Sequence, residues 1–345
     1  GEQAAILNPQ LRALGVGIAF AHRTFSWQND ARGQAAVHCV IMGLSNVLPK
    51  KRRLWSYPDI KGQPVLHQVS NINAYLLDAP DVVITSRSTP LSPDTPRMDF
   101  GSMPNDGGYL SDIDTAEAER IRESDPLAAK YLRRLIGGRE LIHNEQRFCL
   151  WLEGADPNDL RKSGELAKRI EAVREQRASS KREATKRLAS RPMEFGEIRQ
   201  PKADYLAVPL ISSEDRDYLQ VAPMSADVIS NNKIGIIQHK SLDTFAMLIS
   251  RVFTVWNKAV SGRLESRLNV SITTTYNNFP FPELTEQQRE VIERGAESVL
   301  VARSSFAYNS LADLYGANSM PPALRRAHEA LDTAVLRAFG MTNSA

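Results

Sequence analysis

The sequence predicts a mixed α/β (α+β) fold of more than one domain, and three observations carry that expectation. Helix-type and strand-type segments alternate through the middle of the chain, a hairpin pattern stands near its start, and two amphipathic helices close it. At 345 residues there is room for two or three domains and at least one sizeable core.

The runs GVGIAFAHRTF and QAAVHCVIMGL flank a polar loop holding Asn29, Asp30 and Gly33, which is a hairpin pattern. The second run is nearly continuously apolar, as a strand covered on both faces would be, although periodicity leaves a short buried helix open. Such a strand needs helices on both sides and little chain precedes it, so the stretch is expected to start near the end of a larger α/β domain. A basic cluster, KKRRLW, leads into turns and then a short β-rich run at Val82–Thr85. RSTPLSPDTPRMD follows, and its prolines disfavour helix there and in the residues before them, marking a connector.

ESDPLAAKYLRRLIG reads as a helix started by Ser124, Asp125 and Pro126. QRFCLWL is a strand candidate, Leu160 to Leu188 a long helix, and YLAVPLIS, DYLQVAP and KIGIIQH further strands, with His239 at a strand end. LDTFAMLISRVFTVWNKAV reads as one helix, and SGRLESRLNVSITTTYNNFPFPE as polar and turn-like. Beyond Thr285 a helical hairpin is expected. The resulting division is a hairpin unit over 1–57, a connector over 58–99, a mixed domain over 100–285 and a helical region over 286–345.

A net charge of +3 says nothing by itself about nucleic acid, but its distribution does. Between Arg161 and Arg191 eleven Lys or Arg face four Glu, a local excess of seven positive charges. Leu166, Ile170 and Val173 make a narrow apolar stripe through the same stretch, so a solvated helix docked on that stripe also explains it. The longest apolar run, Ala35 to Leu44, is far short of the roughly 20 residues needed to cross a bilayer. GEQAAILNPQ lacks the features of a signal peptide. Cys39 and Cys149 sit singly in apolar runs, which suits two buried reduced thiols and a cytoplasmic location.

No phosphate-binding GxxxxGK[ST], no HExxH and no paired CxxC occurs, so no metal site is expected. Leu14-Gly15-Val16-Gly17 lacks the helix start and acidic residue of a nucleotide fold, Asp59-Ile60-Lys61 reads as a surface turn, and His38 as a hydrogen-bonded core histidine.

Four stretches, FAHRTFSWQNDARGQAAVHCVIMGL, FGSMPNDGGYL, PLAAKYLRRLIGGRELI with RFCLWL, and SGRLESRLNVSITTTYNNFPFPE, resemble in order the successive signatures of MmeI-like (Type IIL) restriction-modification enzymes. The resemblance spans most of the chain. It implies a polypeptide in which a nuclease joins an adenine-N6 methyltransferase, a target-recognition domain and a C-terminal helical region. The chain lacks the donor-binding glycine loop and the [DNS]PP[YF] sequence that holds the adenine amino group. The expectation is a specificity part without its catalytic core, inactive alone and holding no cofactor. S-adenosylmethionine, and Mg for any nuclease, are implied for the full-length parent. The implied partners are double-stranded DNA and the methyltransferase/nuclease portion of the same polypeptide. Two other classes stand beside this one: a self-contained enzyme, and a protein-interaction scaffold using the basic helix and the C-terminal helices.

Under the resemblance the hairpin is the last antiparallel pair of a methyltransferase sheet, and Phe25 or Trp27 would stack on the extruded target base; both rings could equally plug the sheet edge. No catalytic residue is assigned. Ser213, Glu214 and Arg216 form a base-reading loop, with Arg216 suited to guanine O6 and N7 and Glu214 to cytosine N4, or else a surface ion pair. Asn231 and Asn232 are base-reading candidates, or simply turn residues. Lys233, Arg263, Arg267, Lys168, Arg169 and Arg177 are the phosphate candidates, Arg263 and Arg267 sharing a face if their segment is helical.

Overall fold

The structure, a computed structural model, describes residues 2–27, 37–238, 241–264 and 267–342. The polar hairpin loop with Asn29, Asp30 and Gly33, and His239, lie outside the described residues. Two compact units are present: residues 1–93 with 211–214 and 255–280, and residues 94–210 with 215–254 and 281–345.

In the first unit the helix Glu2–Ala13 ends at Gly15, whose φ of 68° is the left-handed conformation glycine adopts without a Cβ clash. The glycine pair at Gly15 and Gly17 thus follows a helix and leads into a strand, the reverse of a nucleotide loop. Strand Gly17–Trp27 pairs antiparallel with Val37–Ser45, from Gly17 against Ser45 to Trp27 against Val37, with register shifts after Ile18 and His22. On its other side it pairs in parallel with Arg52–Ser56, which carries Val65–Val69 antiparallel. The expected hairpin is present. Its second strand, however, lies at the sheet edge with Val40, Ile41 and Leu44 exposed, where the sequence suggested cover on both faces. Ile18, Ala21, Leu54, Val69, Ile72 and Leu76 form this unit's core.

Val82–Thr85 forms no strand. The connector is held through side chains instead: Asn277 donates to Arg87 O and Asn278 to Thr85 O, each at 2.9 Å. The NNFPFP motif therefore grips the connector. The segment before it folds further than the turn-like expectation, with Arg263–Leu264, Arg267–Asn269 and Ile211–Ser212 in one small antiparallel sheet and a π-helical turn at Ile272–Tyr276.

Among the described residues the second unit has two sheets. Ala222–Met224, Tyr205–Pro209, Ile234–Gln238 and Met98–Phe100 lie side by side, antiparallel throughout, while Leu132–Ile136 pairs with Ile229–Ser230 in parallel and with Phe148–Leu150 antiparallel. Leu110, Ile113, Ile121, Leu135, Leu150 and Val173 are fully buried between helices and sheet. ESDPLAAKYLRRLIG is a correction: Asp125 caps only the short helix Pro126–Ala129, and Leu132–Ile136 is a strand because it pairs with QRFCLWL, Arg133 against Cys149. The long basic helix is also broken, into Pro157–Lys162, Gly164–Ala178 and Glu183–Arg187. LDTFAMLISRVFTVWNKAV likewise divides into Leu242–Leu248 and Arg251–Val260, where Ser250 Oγ accepts from Phe253 N.

The C-terminal helices Glu286–Ser304 and Pro322–Ala338 pack on each other and on Leu242–Leu248, burying Ala296, Val299, Leu331 and Val335. Gly295 lets them approach: a Cβ there would sit 3.0 Å from Leu331 Cδ1. Among the described residues no helix is long and apolar enough to cross a membrane.

Candidate nucleic-acid interface

In the first unit, the parallel register of Gly17–Trp27 with Arg52–Ser56, and the register shift between His22 and Phe25 that offsets the strand's alternation, bring six rings together at one end of the sheet. His22 stacks on Trp55 at 4.3 Å and 5°, and Phe25 on Tyr57 at 5.1 Å and 23°. His22 Nδ1 lies 2.8 Å from Tyr57 Oη, and Phe20 meets Trp55 edge-on. Arg53 lies over the Trp55 ring at 5.5 Å. Phe25 thus already has one face covered by Tyr57, while Trp27 is 55% exposed and 6.3 Å from Phe25. Both expected stacking residues belong to a larger aromatic surface whose other members, Phe20, His22, Trp55 and Tyr57, were not singled out from sequence. WSY after a basic cluster was the available signal.

A cavity of about 620 Å³ opens in the same unit, lined among others by Arg23, Thr24, His38, Lys258 and Ser271. His38 is half-buried and lines this cavity, so it is not the core histidine the sequence suggested. Cys39 is half-buried beside it and Cys149 fully buried; neither is in a disulfide. Burial pushes the Cys149 thiol far up, leaving it a packing group. No group of three or more His, Cys, Asp or Glu able to hold a metal occurs among the described residues.

Ser213 and Glu214 are half-buried just beyond the strand Ile211–Ser212, in the first unit. Arg267 is exposed on the strand opposite Leu264 in a hairpin, so Arg263 and Arg267 do not share a helical face; the Arg263 side chain lies outside the described residues.

In the second unit Arg216 is half-buried, its Nη1 donating to Gln220 Oε1 at 3.2 Å, and burial lowers its pKa. Asn231 is used structurally: its Oδ1 accepts from Lys233 N at 2.9 Å and its own N–H goes to Ile136 O. This turn is why position 101 must be glycine, since a Cβ there would lie 2.3 Å from Asn231 O. Asn232 is half-buried and Lys233 exposed at the turn's outer end.

The basic stretch divides sharply. Lys168 is exposed. Arg169 is 9% exposed, donating to Glu165 at 2.7 Å, to Tyr109 O at 2.5 Å, and to Glu117. Arg177 is fully buried and directs all five donors at main-chain carbonyls of Pro104, Asn105, Leu188, Arg191 and Glu194, at 2.7 to 3.2 Å. Two phosphate candidates are thereby corrected: Arg169 is engaged by carboxylates and Arg177 is a core residue, and neither can reach a phosphate without breaking these bonds. Leu166, Ile170 and Val173 are the buried stripe of the helix, as its docking alternative required.

FGSMPNDGGYL is structural as well. Buried Asp106 accepts from Gly108 N at 3.0 Å, Leu110 N at 2.8 Å and Ser111 Oγ at 2.9 Å, with Gly107 and Gly108 at positive φ.

Comparison with known proteins places these features. Residues 78–283 match the MmeI target recognition domain, 284–344 the MmeI C-terminal domain and 1–56 the MmeI DNA-methyltransferase domain. The larger part of the chain is thus a target-recognition domain of the restriction-modification methyltransferase class, preceded by a stretch that matches a DNA-methyltransferase domain. The chain belongs to the MmeI family. It is 34% identical to DNA methyltransferase A of Bacillus subtilis (strain 168) over 98% of its own length and 38% of that protein's. Over 99% of its length it superposes with a TM-score of 0.94 on the solved Type IIL restriction-modification enzyme MmeI in complex with DNA, at 40% identity and covering 46% of that chain. The chain thus spans less than half the length of either relative.

Proposed function

We propose that this chain reads a specific double-stranded DNA sequence, as the specificity part of a restriction-modification DNA (adenine-N6) methyltransferase whose methyl transfer is carried out by other parts of the polypeptide. The observation that carries the proposal is the match of residues 78–283 to the MmeI target recognition domain, together with the superposition on MmeI in complex with DNA. The division into 1–57, 58–99, 100–285 and 286–345 is read accordingly as methyltransferase hairpin, connector, recognition domain and helical region.

Within this reading Arg216, Glu214, Ser213 and Asn232 present hydrogen-bonding groups to base edges. Lys168, Lys233 and Arg267 fix register on phosphates. Trp27, the most exposed ring of the aromatic surface, offers its face to an extruded base, and Phe25, itself stacked on Tyr57, lies next to it at 6.3 Å. The family implies S-adenosylmethionine for the full-length parent, and Mg for any nuclease; the glycine pair Gly15 and Gly17 follows a helix and leads into a strand, which does not fit a donor-binding loop. No step through the donor is derived. The unpaired thiols support a reducing, cytoplasmic setting.

The test is selection from a randomised duplex library by the protein, followed by titration of the retained sequence at several salt concentrations. One short shared motif is expected, with affinity falling by about 0.9 log units per log unit of salt for each phosphate neutralised. Lys233→Ala and Arg267→Ala should each weaken all sequences alike and reduce that slope by about 1. Retention of unrelated sequences, or binding indifferent to salt, would overturn the proposal.

A further inference from the structure

The candidate base-reading residue Arg216 does not stand on a loop held only by its own neighbours. Gln220, completely buried, accepts from Arg216 and turns its amide nitrogen back to Tyr218 O. Tyr218, 4% exposed, donates its hydroxyl to Asp332 Oδ2 at 2.9 Å, on the helix Pro322–Ala338. The other carboxylate oxygen of Asp332 accepts from Arg251 N at 2.7 Å, at the start of the helix Arg251–Val260. The Tyr218 ring lies flat on His328, one helical turn before Asp332, at 4.0 Å and 27°.

A second tie fixes the next residue. Arg303, on the helix Glu286–Ser304, donates to Val221 O at 2.7 Å and to Tyr315 Oη at 2.7 Å; that hydroxyl lies 2.7 Å from His328 Nε2. Both C-terminal helices therefore hold residues 218–221 through buried groups.

We propose that Tyr218 and Asp332 are positioning residues for DNA specificity: the C-terminal helices, through the Asp332–Tyr218 hydrogen bond and the Gln220 amide, set the pose in which Arg216 meets a base pair. This rests on the reading of Arg216 as a base-contacting residue. The physical reason is that discrimination by a bidentate guanidinium requires its plane to be fixed, and a half-buried arginine on a short loop is fixed only as well as the backbone beneath it. Every link from Gln220 to Asp332 is buried, so the tie is shielded from competing water.

The experiment compares the duplex-selection profile, position by position, for the protein and for Arg216→Ala, Tyr218→Phe, Asp332→Ala and Asp332→Asn, with the thermal midpoint of each. Arg216→Ala should lose roughly tenfold discrimination at one base pair. Tyr218→Phe keeps the ring on His328 and removes only the hydroxyl, and should lose several-fold discrimination at that same base pair while the other positions hold. Asp332→Asn, which can still accept from Arg251 N and donate to the Tyr218 oxygen, should restore the profile that Asp332→Ala loses. If Arg216→Ala changes one position and Tyr218→Phe changes none, the positioning proposal is wrong while the Arg216 reading stands. An even loss over all positions with a lowered midpoint would show mere destabilisation and also overturn it. An unchanged profile in Arg216→Ala removes the reading of Arg216 and the proposal with it.

Discussion

Arg177 and Lys168 show how two cations can carry opposite roles within a few turns of the same helix. Lys168 is exposed, whereas Arg177 is enclosed by the carbonyls of two loops that its guanidinium alone can satisfy together. A planar group with five donors matches five acceptors, and a lysine ammonium has only three. Arg177→Met should therefore lower stability by about 3–5 kcal/mol, because buried carbonyls lose their donors. Arg177→Lys should recover only part of the loss. Denaturant midpoints at constant m-value measure both, and an Arg177→Met midpoint equal to that of the unaltered protein would refute the assignment. Sequence could not separate these two cations. Both stand in an Arg/Lys/Glu-rich helix, and only the fold decides which face meets residues 104–105 and 188–194.

At the scale of elements, most types were legible and most breaks were not. The hairpin, the strands Tyr205–Pro209 and Ile234–Gln238, and the two C-terminal helices follow from periodicity. The break in the basic helix turns on Ser163, which has two jobs: its Oγ accepts from Leu166 N at 3.0 Å and donates to Asp125 Oδ2 at 2.6 Å. The same carboxylate caps Pro126–Ala129 through Ala128 N at 3.0 Å. Two helix starts, 38 residues apart, are thus tied by one half-buried hydrogen bond. Ser163→Ala should cost about 1–2 kcal/mol, the upper part of the range for a lost cap. Ser163→Thr, which keeps the hydroxyl, should cost less. A Ser163→Ala variant as stable as Ser163→Thr would show that the bond does not hold the break. From sequence, Ser163 was one polar residue in a helical run, since its partner Asp125 is distant.

For the molecule as a whole, the C-terminal helices are part of the second unit's interior rather than an appendage. His328 lies buried among Tyr218, Tyr315, Arg303 and Asp332. Burial, aided by the Arg303 charge, pushes its pKa down to about 2. In the unfolded chain it titrates near 6.5, so between these values the unfolded state binds one more proton and stability falls as pH falls. Below about pH 6 this group alone should remove up to roughly 1.4 kcal/mol per pH unit. Burial raises the pKa of Asp332, so at lower pH it works in the opposite direction, because the folded state then keeps its proton more tightly. Unfolding free energy measured from pH 7.5 to 5 should therefore slope downward, and His328→Gln should flatten it. An identical slope in that variant would contradict a neutral buried His328.

The sequence alone determined the fold class, the order of most elements and, through four ordered motifs, the family. These depend on local periodicity, turn residues and linear spacing, which the chain carries in itself. Tertiary structure alone decided which cations are exposed, that FGSMPNDGGYL and NNFPFP are scaffold, and that Tyr218 meets Asp332 across 114 residues of chain. Burial and hydrogen bonding between distant residues are properties of packing, and no local pattern encodes which polar groups a folded interior will bring together.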